Sequence, residues 1–142
     1  MKNKGIQTGV WLDKTQAYLM SFENEELTQK RIKSDIDFSR MGGGARSKTP
    51  YGPMDKTSES KKLERQLQQE KKYFEDLLEA VKGSNEVYLF GPAQVKDRFN
   101  EFLNEAYTFN GAIRQVENAQ KMTENQRIAQ VRKFFKVGEE VY

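Results

Sequence analysis

The chain contains no cysteine and no histidine. The first absence rules out disulfides and thiolate metal sites, and the two together rule out the usual zinc ligand sets. Serine and cysteine triads and the most common general base are gone as well. Any chemistry must rest on carboxylates, lysine, tyrosine, hydroxyls, water or backbone. Tryptophan occurs once and proline three times in 142 residues. No apolar run approaches the ~20 residues that span a bilayer, and the N-terminal residues hold no apolar segment of the signal-peptide kind. The expectation is a cytoplasmic protein with no membrane partner. Neither sign of charge dominates: 24 Lys and Arg stand against 21 Asp and Glu, a net +3. That balance is mildly basic and compatible with nucleic acid without demanding it. The distribution is less even. Between residues 121 and 136, Lys121, Arg127, Arg132, Lys133 and Lys136 face only Glu124; Arg127, Arg132, Lys133 and Lys136 are a second possible RNA face, with complementarity to a helix C-terminus as the alternative.

What is present suffices for a core. Hydrophobic residues make 36% and aromatics 11% of the chain, so residues 1–142 are expected to form one domain. Val10-Trp11-Leu12 reads as a strand and residues 13–16 as a turn. From Ala17 to Phe22, Tyr18, Met20 and Phe22 alternate on one side of a second strand. After a turn at residues 23–26, residues 27–36 read as a third, solvent-facing strand. A long charged helix is expected over residues 58–82, with Asp55, Thr57 or Ser58 as N-cap and Gly83 as stop. Leu63, Leu67, Phe74, Leu77, Leu78 and Val81 form its apolar stripe. Residues 86–90 are nearly all apolar, as in a central strand. Gly91-Pro92 is expected to end that strand and open a helix with proline at its first position, packed through Val95, Phe99, Phe102, Leu103 and Ala106. Residues 112–116 are a short strand. Thr123 and Gln126 form a capping box for a last helix, packed through Ile128, Val131 and Phe135 and ended by Gly138. The order β-β-β-α-β-α-β-α implies a mixed sheet with helices on its faces, an α/β fold.

One segment stands apart. Residues 39–50 carry Gly42-Gly43-Gly44 together with Arg40, Arg46 and Lys48 and no acid. Three glycines cost backbone entropy to order and leave the main chain open to close approach. A flexible Gly-rich basic loop over residues 39–57, at the foot of a long helix, suits a narrow anionic place such as RNA. Lys61, Lys62 and Arg65 in the first turns of the helix extend the basic character. Asp13 at a strand end invites comparison with a metal-dependent nuclease. Its companions Glu86, Asp97 and Glu117 match no metal spacing, and a turn role accounts for Asp13.

The element order, Val10-Trp11-Leu12-Asp13 with Ala17-Tyr18, the glycine segment before a long helix, residues 87–93 with Lys96, Val116-Glu117 and the closing helix together resemble a known group. It is the ribonuclease H-like, translational machinery components type of fold. The chain is similar to the middle domain of eukaryotic and archaeal class 1 release factors and of Pelota, and most of all to the single-domain bacterial archaeo-eukaryotic release factor-like family. In release factors the matching loop carries Gly-Gly-Gln and positions a water to cleave peptidyl-tRNA. Here Gly44 or Ala45 stands where the glutamine would be. Pelota-like proteins also lack the glutamine and act in ribosome rescue without hydrolysis. The resemblance therefore implies a ribosome, rRNA or tRNA partner, no cofactor, no metal site and no catalytic residue. The RNA-binding set is Arg40, Gly42, Gly43, Gly44, Arg46, Lys48, Lys61, Lys62 and Arg65. Two alternatives stay open: a peptidyl-tRNA hydrolase working without the glutamine, and a protein-interaction module that has kept only the fold.

Overall fold

The computed structural model describes residues 5–36, 52–92 and 94–137. Five strands, β1 (Ile6–Leu12), β2 (Gln16–Glu23), β3 (Glu26–Lys33), β4 (Glu86–Gly91) and β5 (Ala112–Asn118), form one sheet in the order β3-β2-β1-β4-β5. β1, β2 and β3 run antiparallel as a meander, while β4 and β5 lie parallel to β1. The helices among the described residues are α1 (Gly52–Val81), α2 (Val95–Asn104) and α3 (Glu124–Phe135). This is the expected mixed sheet with helices on its faces, in ribonuclease H-like strand order.

Alternation along the strands sorts the side chains into two cores. Val10, Leu12, Ala17, Leu19, Val87 and Leu89 meet Tyr73, Phe74, Leu77 and Val81 of α1 and Val95, Phe99 and Leu103 of α2. On the other face, Trp11, Met20, Phe22, Tyr88 and Phe90 meet Val131 and Phe135 of α3. The central strands β1 and β4 are therefore apolar on both sides. α3 comes close because β1 has Gly9 beneath it: a Cβ there would press on the side chain of Val131. The hairpin between β2 and β3 turns through Asn24 and Glu25, both at positive φ (54° and 70°). Such two-residue turns match the right-handed twist of the strands they join.

The structure corrects several expectations. α1 begins at Gly52 rather than Ser58, so residues 52–57 are helix and not loop. Pro53 sits in the first turn, where its missing N–H has no helical acceptor to lose. Asp55, Thr57 and Ser58 therefore lie inside the helix instead of capping it. α2 starts at Val95, after Gln94, which makes no side-chain cap; Pro92 is not its first residue, and Ala106 lies past its end. α3 closes on Lys136, held at φ 57° in the left-handed region, rather than on a glycine. The third strand ends at Lys33, three residues earlier than expected. Thr123 and Gln126 do form the capping box: Thr123 Oγ1 accepts from Gln126 N at 3.2 Å, and Gln126 Oε1 accepts from Thr123 N at 2.9 Å.

Candidate nucleic-acid interface

α1 is 30 residues long, or about 45 Å at 1.5 Å per residue. Only its C-terminal part is seated on the sheet. Glu70 and Tyr73 tie it to the rest of the domain. Glu70 receives a two-pronged contact from Arg98 of α2, at 3.2 and 2.8 Å. Tyr73, 1% exposed, donates its hydroxyl to the Asp13 carbonyl at 2.9 Å. Burial, reinforced by the Asp13 and Glu70 carboxylates, pushes that hydroxyl far above the ordinary tyrosine range, so it stays a donor. N-terminal to these ties the helix is mostly exposed, although Gln66 and Gln69 are half-buried and have partners. Residues 59–65 are all exposed. Leu63 and Leu67, expected to pack, are 58% and 60% exposed, because the apolar stripe outruns the sheet beneath it.

Lys61, Lys62 and Arg65 lie on this free half and are exposed. Among the described residues none of the three forms an ion pair. The six other expected RNA contacts, Arg40, Gly42, Gly43, Gly44, Arg46 and Lys48, lie outside the described residues.

The opposite face of the sheet carries a second group of cations, of which the sequence already offers Arg127 and Arg132, with Lys133 and Lys136, as a second possible RNA face. Cross-strand register sets Trp11, Tyr18 and Arg31 side by side on β1, β2 and β3. Arg127 of α3 reaches over Tyr18, its guanidinium carbon 3.6 Å from the ring centre, while Nη1 donates to the Met122 carbonyl at 2.9 Å. Arg31 flanks the same ring at 5.9 Å and donates from Nε to Gln16 Oε1 at 2.9 Å. Arg132 lies over Phe22 at 4.9 Å. Guanidiniums on aromatic faces are held by the ring quadrupole and keep their outer N–H groups free.

The carboxylates weighed as metal ligands are engaged elsewhere. Asp13 Oδ1 accepts from Thr15 N, Thr15 Oγ1 and Gln16 N at 2.8, 2.9 and 3.0 Å, a turn-forming role. Glu86 accepts from Gln7 at 2.8 Å and pairs with Arg114 at 3.5 Å. Asp97 lies 3.7 Å from Lys96. Glu117 accepts the Tyr88 hydroxyl at 2.6 Å. Among the described residues no three acidic side chains gather into a group able to hold a metal ion. No helix among them is long and apolar enough to cross a membrane. Trp11 and Tyr88, each 1% exposed, belong to the core rather than to a base-stacking surface.

The fold of this α/β domain is similar to that of one part of the Pelota structures. The chain is similar to the Thermoplasma acidophilum Pelota protein, with 17% identity and a TM-score of 0.51. It is similar also to Archaeoglobus fulgidus Pelota, with 13% identity and a TM-score of 0.53. Each match covers 95% of this chain and 33% of the Pelota chain, so the protein spans one third of their length. An archaeal translation termination factor, aRF1, aligns over 92% of this chain and 40% of its own at 15% identity, with a TM-score of 0.47. No protein-family model and no curated protein matches the sequence. At these identities the likeness to the two Pelota structures establishes the fold alone.

Proposed function

We propose that the protein is a translation-factor-like protein of the single-domain bacterial release factor-like kind. It binds the ribosome or its RNA by inserting the basic glycine segment, through Arg40, Arg46, Lys48 and the Gly42-Gly43-Gly44 backbone, near a tRNA site. Its role is rescue, stress or hibernation, and it releases no peptide. The observation that supports this reading best is the reach of α1. From Tyr73, which is hydrogen-bonded to the sheet side, back to Gly52 is 21 residues, or about 31 Å of helix. The glycine segment joins the chain directly before that far end. A rigid rod tipped by a basic, glycine-bearing segment can carry backbone amides into a cleft too narrow for the domain itself. Lys61, Lys62 and Arg65 then line the rod with charge for phosphates on either side. The absence of a glutamine beside the glycines removes the group that would orient a hydrolytic water, and lost positioning costs several kcal/mol of barrier.

The test is co-sedimentation with purified ribosomes across a salt series, with an Arg40→Ala/Arg46→Ala variant alongside. Pelleting that fades with salt and weakens in the variant is the expected result. Absence of pelleting at low salt overturns the reading. A parallel assay on peptidyl-tRNA is expected to show no release; release lost on changing Gly43 would identify a hydrolase instead.

A further inference from the structure

The strip between α3 and the β2–β3 hairpin lies on the face of the sheet opposite α1 and α2. It is an open groove of about 280 Å³ whose lining includes Tyr18, Gln29, Arg31, Glu124 and Arg127. Arg31 and Arg127 bracket Tyr18, and Arg132 continues the row over Phe22, four residues along β2. We propose that this strip is a second nucleic-acid site, which holds single-stranded RNA by its phosphates independently of the glycine segment.

Three observations carry the inference. First, none of Arg31, Arg127 and Arg132 has an ion-pair partner among the described residues, although Glu124 lines the same groove. By contrast, Arg98 and Arg114 each meet a glutamate. Three unpaired guanidiniums in one row form a field that favours a polyanion. Second, the side chains are already placed. Tyr18 and Phe22 hold the planar groups by their faces, and the amide of Gln16 holds Arg31 by Nε, so little rotamer freedom is left to lose on binding. Third, a guanidinium offers its donors in the planar fork geometry that matches phosphate oxygens. Complementarity to the helix dipole accounts for bases in the last turn of α3, Arg132 and Lys133, but not for Arg127 in its first turns or for Arg31 on a strand. An acidic protein segment would also meet the charge. Two guanidiniums share Tyr18 and the third lies over Phe22, and a phosphate backbone, with one charge at every nucleotide, can meet all three along a single strand.

The test is fluorescence anisotropy of a short mixed-sequence single-stranded RNA titrated with the full chain over a potassium chloride series. The variants are Arg31→Gln/Arg132→Gln and Arg127→Lys, with Lys61→Gln/Lys62→Gln/Arg65→Gln on α1 for comparison. The plot of log affinity against log salt is expected to flatten by about 1.4 in the Arg31/Arg132 double variant, since each phosphate contact on a single strand contributes roughly 0.7. Arg127→Lys keeps the charge but loses the stacked fork, so affinity should fall several-fold with the slope nearly unchanged. An unchanged slope in the double variant, with its melting temperature equal to wild type, overturns the proposal. Binding of poly-glutamate in place of RNA overturns it in favour of an acidic protein partner. Because the RNA assay contains no ribosome, failure here leaves the glycine-segment reading intact. Failure of ribosome pelleting with RNA binding retained would overturn that reading and leave the strip.

Discussion

Replacing Gly9 by alanine should lift α3 from the sheet, and replacing Val131 by alanine in the same chain should let it back down. A Cβ on Gly9 would lie 2.8 Å from Val131 Cγ1 and 3.0 Å from its Cβ, and closer still to Cγ2. Carbon atoms rest at about 3.5–4.0 Å, so the valine must retreat by roughly 1 Å, and it is fully buried. Overpacking of this kind costs about 1–3 kcal/mol. Alanine is better than glycine in a strand by roughly 0.5–1 kcal/mol, which offsets part of the cost. The expected net loss for Gly9→Ala is thus about 1–2 kcal/mol. Val131→Ala removes two methyl groups, about 1.6 kcal/mol of burial, and leaves a cavity, for a total of about 2–3 kcal/mol. In the double variant the new methyl group fills part of the space left by the old ones. The two losses should then fall short of additivity by about 1 kcal/mol or more, well beyond the few tenths seen for independent sites. Urea unfolding followed by the fluorescence of Trp11 measures the cycle. That residue is the single tryptophan, 1% exposed, and its indole N–H donates to the Gln120 carbonyl at 3.2 Å in the same core. Additivity, or a Gly9→Ala protein as stable as wild type, would refute the close-approach argument. The same variant should bind RNA more weakly on the α3 face, because Arg127 and Arg132 ride on the displaced helix.

Glu25 sits in the left-handed region at φ 70°, a conformation that costs a non-glycine residue about 1 kcal/mol, so Glu25→Gly should raise the midpoint of thermal unfolding by a few degrees. Thr123→Ala removes one half of the α3 capping box and should cost about 1 kcal/mol in urea unfolding, with little change when serine is placed there instead. The Tyr88 hydroxyl is pushed from 10.0 up to about 12, by burial first and by its hydrogen bond to Glu117 next. A folded value above the unfolded one means that stability is complete below pH 10 and is lost as pH rises toward 12. Tyr73, raised by burial, acts in the same direction. Absorbance at 295 nm should show a late tyrosinate step that shrinks in Tyr88→Phe, with Tyr73 remaining, and an early, uniform titration of all tyrosines would contradict the burial argument.

The order of elements was legible because each signal is local. Alternation at Tyr18, Met20 and Phe22, the apolar run of β4 and the Thr123–Gln126 capping box are written within a few residues, and all three hold in the structure. The misread boundaries share one cause. Gly52-Pro53 and Gly91-Pro92 look alike in sequence, but the first pair lies in the first turn of a helix and the second lies ahead of one. What separates them is whether the following residues find a sheet to pack on or a helix axis to continue, and the dipeptide does not encode that. Helical spacing made Leu63 and Leu67 look like core, since periodicity records a face and not whether anything lies beneath it. The row of Arg31, Arg127 and Arg132 was out of reach for a different reason. Residues 31 and 127 meet over Tyr18 only through β2–β3 register and the seat of α3 on Gly9. The sequence offered Arg127 and Arg132, with Lys133 and Lys136, as a second possible RNA face, but it could not bring Arg31 to them.

The central claim is that the free half of α1 enters the ribosome. The lack of native cysteine allows a single cleavage reagent to be placed at will. An iron chelate tethered to Lys61→Cys, on the exposed half of the helix, would generate hydroxyl radicals in a ribosome complex. A second chelate on Tyr107→Cys, 94% exposed, serves as the remote comparison, because its loop returns through Gly111 beside Ser84 at the opposite end of α1. The account predicts strong ribosomal RNA cleavage around a tRNA site from Lys61→Cys, and weak or differently placed cleavage from Tyr107→Cys. Equal patterns from both positions, or no cleavage from Lys61→Cys in a complex that pellets, would contradict it.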